Sequence, residues 1–199
     1  MEVTRGKGLL EGFLARQRWK IANRIIPDEY RKGRLLDIGC GSYPFFLLNT
    51  DFSEKYGLDK IYRGNDKNLF QRTNITYIHY DIEENHILPF GDEYIDVVTM
   101  LAVLEHVEPR KLITIVNEIY RILKTNGLFV ITTPAGWTDP LLKIMAKVGL
   151  VSKIEIDEHK DTYTHRKLVS LLQLANFSKD RMKFGYFEMF SNLWLAAKK

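Results

Sequence analysis

Three carboxylates in the first half of the chain fall where short apolar runs end. Asp37 interrupts Leu35-Leu36-Asp37-Ile38 just before Gly39-Cys40-Gly41, Asp59 follows Gly57-Leu58, and Asp81 stands between Tyr80 and Ile82. Two glycines one residue apart let a loop turn sharply and bring its backbone against a ligand, and a side chain at either position would obstruct that approach. A carboxylate at the mouth of such a loop suits a ligand with an ammonium or sulfonium charge and suits a pyrophosphate poorly. About twenty residues on, Asp59 is placed to accept both hydroxyls of a ribose. Asp81 is placed to accept from an adenine amine, with Ile82 beside the ring. A single aspartate at a strand end is commonly a turn former or a helix cap. Three in successive register with a glycine pair form a nucleoside-binding constellation.

The elements that would position these residues alternate along the chain. Arg34–Ile38, Lys55–Leu58, Ile75–Tyr80, Tyr94–Leu101 and Leu128–Thr133 read as strands. The β-branched run Ile95-Asp96-Val97-Val98-Thr99 reads as the central one. Pro44 is placed to open a helix at its first position. Leu112, Val116, Ile119 and Leu123 share one face of a helix from about Pro109 to Lys124, which Asn126-Gly127 would stop. Residues 137–165 form an irregular excursion with a helix over Leu141–Val148, and a further helix covers Arg166–Ala175. Arg181–Phe187 and Asn192–Ala197 read as a terminal hairpin. The pattern predicts an α/β fold, a Rossmann-like, doubly wound, mostly parallel seven-stranded sheet with an antiparallel C-terminal strand and helices on both faces. Ligands in such sheets sit at the carboxyl ends of the strands near the topological switch point. One domain is expected over residues 1–199, with residues 1–30 as a helical cap and 137–165 as a lid.

At these residues the chain resembles the class I S-adenosylmethionine-dependent methyltransferases of the methyltransferase domain 11 type. The resemblance rests on Leu36-Asp37-Ile38-Gly39-Cys40-Gly41, Gly57-Leu58-Asp59, Tyr80-Asp81-Ile82 and Ile95-Asp96-Val97-Val98. It continues through Leu104-Glu105-His106-Val107, Leu123-Lys124-Thr125-Asn126-Gly127-Leu128 and Thr133-Pro134, spanning about residues 33–135. It implies S-adenosylmethionine as cofactor, with S-adenosylhomocysteine as product. The implied cofactor-binding residues are Asp37, Gly39, Cys40, Gly41, Asp59, Asp81, Ile82 and Leu101. The methionine part falls to Asp37 and the glycine loop, the ribose to Asp59, and the adenine to Asp81 and Ile82. Tyr43 stands where many members have a third glycine, which leaves open a non-catalytic, cofactor-binding sensor. A nicotinamide-binding domain would want that glycine at position 44, where Pro44 stands.

A base is needed only for an acceptor that is a poor nucleophile while protonated, such as a sugar hydroxyl. The histidines are His79, His86, His106, His159 and His165. The resemblance puts His106 near the approaching acceptor, as a base or as a residue closing the loop. His159 and His165 lie in the excursion, which in the resembled fold helps cover the acceptor site, and His159 reads as a second base, an acceptor ligand or a solvated loop histidine. Their spacing suggests no metal site, and none is expected. The Trp137-Thr138-Asp139-Pro140 and Glu158-His159-Lys160 segments resemble those of methyltransferases of surface-glycan synthesis, which implies a sugar hydroxyl or related small acceptor.

Composition bounds these readings. The 199 residues are 45% hydrophobic and 27% charged, which argues against a disordered tail or a coiled coil, and the net charge of +4 is too mild to imply nucleic-acid binding. No nucleic-acid partner is expected. An Asn-Pro-Pro-Tyr-like sequence is also missing after strand four, where Met100-Leu101-Ala102-Val103 stands. The lone Cys40 excludes an internal disulfide, and no apolar run approaches a membrane span, so a cytoplasmic setting is expected. Residues 1–34 hold nine basic and four acidic side chains, a surplus of +5 against −1 for the rest. Leu10, Leu14, Ile21 and Ile25 recur there at helical spacing up to Pro27. This amphipathic helix reads first as a cover on the sheet. It reads second as a basic surface for an anionic headgroup or a lipid-linked substrate at a membrane.

Overall fold

The computed structural model describes residues 9–61 and 73–199. Residues 1–8 of the expected helical cap, with Arg5 and Lys7 of its basic surplus, lie outside the described residues. The strands are β1 (Arg34–Ile38), β2 (Glu54–Asp59), β3 (Ile75–His79), β4 (Ile95–Leu101), β5 (Leu123–Pro134), β6 (Met182–Phe187) and β7 (Asn192–Lys198). The helices are α1 (Glu11–Ile25), α2 (Phe45–Leu48), α3 (Pro109–Ile122), α4 (Asp139–Lys147), α5 (Lys153–Asp157) and α6 (His165–Leu174).

Adjacent apolar residues in the central strands go to opposite sides of the sheet, because side chains alternate along a strand. Leu36, Ile38, Val98, Met100, Phe129 and Ile131 build one core with Leu112, Val116 and Ile119 of α3 and Leu168 and Leu172 of α6. Leu35, Val97, Leu128 and Val130 build a second core with Ala22 of α1 and Phe46 and Leu47 of α2. Helices therefore cover both faces, and the strands read as unbroken apolar runs because both faces are buried.

The seven strands run in the order β3-β2-β1-β4-β5-β7-β6. β1 to β5 pair in parallel, and only β7 opposes its neighbours, pairing antiparallel with β5 and with β6. The expected sheet is thus observed, with β4 at its centre. The chain works outward from β1 through β2 to β3, then returns to the other side of β1 as β4. The switch point lies between the carboxyl ends of β1 and β4, where Gly39 and Ala102 begin their loops.

Two local expectations change. The helix expected to reach Lys124 ends at Ile122, and Asn126-Gly127 lies inside β5. The β4–β5 register jumps from Ile95↔Leu123 to Val97↔Leu128, so residues 124–127 bulge out of the ladder. Asp96 accounts for the bulge, since its carboxylate takes Lys124 Nζ at 2.8 Å and Arg34 N–H at 2.8 Å. Asn126 has the left-handed φ of 66° expected of a stop signal, but the bulge uses it. Pro44 stands before, not within, the four-residue α2. Among the described residues no helix is long and apolar enough to cross a membrane.

Candidate active site

The loop after β1 is fixed before any ligand arrives. Gly39 and Gly41 have φ of 75° and 73°, a region that costs an L-residue about 1–2 kcal/mol. Gly39 N–H donates to Leu58 O at 2.7 Å, and Gly41 N–H donates to the Asp59 carboxylate at 2.8 Å. A Cβ on Gly39 would stand 2.3 Å from a methyl carbon of Val103, whereas one on Gly41 would meet nothing closer than 4.0 Å. Gly39 thus serves the packing of the β1 and β4 loops, and Gly41 keeps a face open. Gly39→Ala is expected to lower unfolding stability by about 2–4 kcal/mol through backbone strain and overpacking. In chemical denaturation, Val103→Ala should restore the packing part only. Equal stability of Gly39→Ala and the parent would contradict this.

Asp37 and Asp59 are 4% and 3% exposed. Thr99, the partner of Asp37 across the β1–β4 ladder, donates its hydroxyl to Asp37 Oδ1 at 2.6 Å. Burial pushes the Asp37 carboxyl up to about 7; the Thr99 bond opposes the rise and the nearby Asp59 charge adds to it. The other oxygen of Asp59, Oδ1, accepts Ile61 N–H at 2.8 Å. Asp81 accepts Glu83 N–H at 2.8 Å, which turns the chain after β3. Burial also holds the Cys40 thiol well above its usual range, so it stays protonated beside the loop.

One cavity of about 710 Å³ runs from this loop to the 137–165 excursion, within the ~300–1,000 Å³ common for small-molecule sites. Asp37, Gly39, Cys40, Gly41, Asp59, Asp81, Ile82, Leu101 and His106 all line it, and so do Tyr43 and His159. Tyr43 edges the cavity without filling it. His165 is elsewhere, with Nε2 2.9 Å from Gly185 O and its ring against Tyr186. α1 contributes Leu14, Ala15, Arg18 and Trp19 to the wall, while Arg16, Lys20 and Arg24 stay exposed. The helix is therefore a cover with one cationic side chain facing the site.

A group that spacing alone did not suggest lines the same cavity. Glu105 and His106 on the 3-10 turn after β4 meet His159 from the excursion, with one ligand-type atom from each within 4.8 Å of the others. Lys160 N–H donates to Glu105 O at 2.7 Å, and Lys160 Nζ reaches Glu83 at 3.0 Å. These two bonds tie the excursion to the β3 and β4 loops. Thr133 donates to Glu105 Oε2 at 3.0 Å. Burial lowers the His159 imidazole below its usual range, with Lys143 acting the same way and Asp139 opposing.

Comparison with known proteins agrees with this geometry. Residues 36–131 match the family model of the methyltransferase domain. An uncharacterized protein of Methanocaldococcus jannaschii is 32% identical over 139 residues, 66% of this chain and 56% of that protein. The chain thus spans just over half the length of that relative. An S-adenosylmethionine-dependent methyltransferase of Thermotoga maritima superposes with a TM-score of 0.70 at 18% identity, covering 96% of this chain and 91% of that one. One from Archaeoglobus fulgidus gives 0.65 at 21%, covering 95% and 94%. The 1,6-didemethyltoxoflavin-N1-methyltransferase of Burkholderia thailandensis, bound to 1,6-didemethyltoxoflavin and S-adenosylhomocysteine, gives 0.64 at 17%, covering 95% and 79%. At these identities the structural likenesses define the fold. The match over residues 36–131, on a fold shared with these structures, marks a class I S-adenosylmethionine-dependent methyltransferase domain. The cofactor of that class is S-adenosylmethionine. The site fits it, with buried Asp37 and Asp59 at the ends of β1 and β2, half-buried Asp81 just past β3, and an open face at Gly41.

Proposed function

We propose that this protein methylates a hydroxyl of a small acceptor, a sugar or lipid-linked glycan being the acceptor class. The single observation that carries the reading is the continuous cavity, lined both by Asp37, Asp59 and Asp81 and by Glu105, His106 and His159. Asp37 takes the cofactor's ammonium, the Gly39–Gly41 backbone and Cys40 its methionine chain, Asp59 its ribose, and Asp81 and Ile82 its adenine, with Leu101 in the wall beside them. S-adenosylmethionine supplies a methyl on a sulfonium, so that as an acceptor oxygen forms the new O–C bond the S–C bond breaks and its electron pair stays on sulfur. The protein's part is to align the two reactants and keep water out. His106, with Glu105 and His159 around it, faces the acceptor and governs its hydroxyl proton.

Trp137, Leu141, Ile144 and Val148 are exposed on the excursion beside Lys143 and Lys147, which supports an acceptor presented on a lipid carrier. The buried free Cys40 and the absence of a spanning helix among the described residues are consistent with work at the cytoplasmic side. A sensor that binds the cofactor without turnover has Tyr43 in its favour only if that side chain closes the cavity, and it lines an open one.

Incubation of the purified protein with methyl-labelled cofactor and fractionated glycan and lipid extracts tests the reading. His106→Ala is expected to lower turnover ~10²-fold, with S-adenosylhomocysteine affinity nearly unchanged. Equal losses in turnover and affinity would make His106 part of the cofactor shell, and label in protein or nucleic acid alone would overturn the acceptor class.

A further inference from the structure

Three of the side chains that line the cavity have the composition of a metal site. Glu105 offers a carboxylate and His106 and His159 an imidazole each, converging within 4.8 Å, and the two rings lie 5.0 Å apart at 72°. Ligands of one ion at ~2.1 Å are about 3.4 Å apart in tetrahedral geometry. The atoms therefore need to close by an ångström or so, within reach of side-chain torsions.

The surroundings hold these groups in place by hydrogen bonds, as the neighbours of metal ligands do. Glu105 is 2% exposed and takes the Thr133 hydroxyl on Oε2. His159 comes from a segment more than fifty residues away in sequence, clipped in place by the Lys160 N–H bond to Glu105 O and the Lys160 ion pair with Glu83. Two nitrogens and one oxygen suit a borderline ion, Zn²⁺, Fe²⁺, Co²⁺ or Mn²⁺, better than an all-oxygen cation. Three protein ligands are the number that leaves a coordination position open in catalytic zinc sites. All three residues line the cavity, so that position faces the space for the acceptor.

We propose that Glu105, His106 and His159 bind one divalent transition-metal ion whose open position takes the acceptor hydroxyl. The proposal deepens the hydroxyl-acceptor reading and rests on it for the identity of the fourth ligand. The ion lowers the hydroxyl's pKa, and the proton passes to water at the mouth of the cavity. Both histidines then serve as neutral ligands.

The test uses untagged, full-length protein stripped with chelator. Titration with Co²⁺ should give the visible absorption of an ion with nitrogen ligands, saturating at one equivalent per chain, and Zn²⁺ should displace it. His159→Ala and the milder Glu105→Gln should each weaken Co²⁺ binding ~100-fold or more, while S-adenosylhomocysteine titration confirms that both variants fold. Absence of Co²⁺ binding at millimolar concentration, or unchanged binding in His159→Ala, would overturn the proposal. The two readings fail separately. Full methyl transfer to a hydroxyl by chelated protein, abolished by His106→Ala, removes the ion and keeps the reaction. Ion binding with the expected ligand dependence, but no transfer to any alcohol, keeps the site and removes the hydroxyl acceptor.

Discussion

Asp59→Ala is expected to weaken S-adenosylhomocysteine binding about a hundredfold, within the ~1–3 kcal/mol range for leaving a buried hydrogen-bonding group without its partner. The effect has two sources. The carboxylate accepts Gly41 N–H and Ile61 N–H, each at 2.8 Å, so truncation leaves two backbone donors to find another acceptor and loosens the glycine loop. A carboxylate has room for about four acceptor bonds, so these two do not exhaust its capacity for a ribose. Comparison with the 2′-deoxy analogue of the ligand separates the sources. The parent protein should lose affinity on removal of the hydroxyl, and Asp59→Ala should be indifferent to it. Unchanged calorimetric affinity for S-adenosylhomocysteine in Asp59→Ala, or an equal loss from the deoxy analogue in both proteins, would sink the ribose assignment.

The acids of this site were legible because their geometry is local. Asp37, Asp59 and Asp81 each follow an apolar run, so each falls at or just beyond a strand end once the run becomes a strand, and the parallel sheet brings those ends together. Gly39 and Gly41 were legible for the same reason, through the backbone their φ values require. What sequence reading missed depends on contacts across the fold. Thr99 is an ordinary strand residue until the β1–β4 register sets it opposite Asp37. His159 could be read from sequence as a base, a ligand or a solvated loop histidine, but its meeting with Glu105 and His106 depends on the Lys160 clip. Asn126-Gly127 carried a true signal for a left-handed turn. Its use as a strand bulge depends on Asp96, whose carboxylate captures Lys124 and so ends α3 two residues early. His165, in the same stretch of sequence, faces Gly185 and Tyr186 instead of the cavity.

The Asp37 carboxyl predicts a second large effect, one of pH. Its folded pKa is about 7, raised first by burial and then by the Asp59 charge, against the Thr99 hydrogen bond. An unfolded aspartate titrates near ~3.9. Between these values the folded, ligand-free protein holds a proton that the unfolded chain has released. The contribution of Asp37 to stability is therefore fully present below the unfolded pKa and is lost as pH rises through about 7. Its span is on the order of 4 kcal/mol. Asp37→Asn should flatten that part of the pH–stability curve. Cofactor binding runs the other way. An ammonium beside Asp37 favours the carboxylate, so binding near pH 6 should release close to one proton, and affinity should rise tenfold per pH unit toward about 7 before levelling. Thr99→Val, which removes the bond that favours the charged form, should move the levelling to higher pH. Calorimetry of S-adenosylhomocysteine binding in buffers of different ionisation enthalpy measures the proton directly. A pH-independent affinity with no proton released would mean that Asp37 stays protonated against the ligand, and the cofactor's ammonium would then need a different partner in the wall of the cavity.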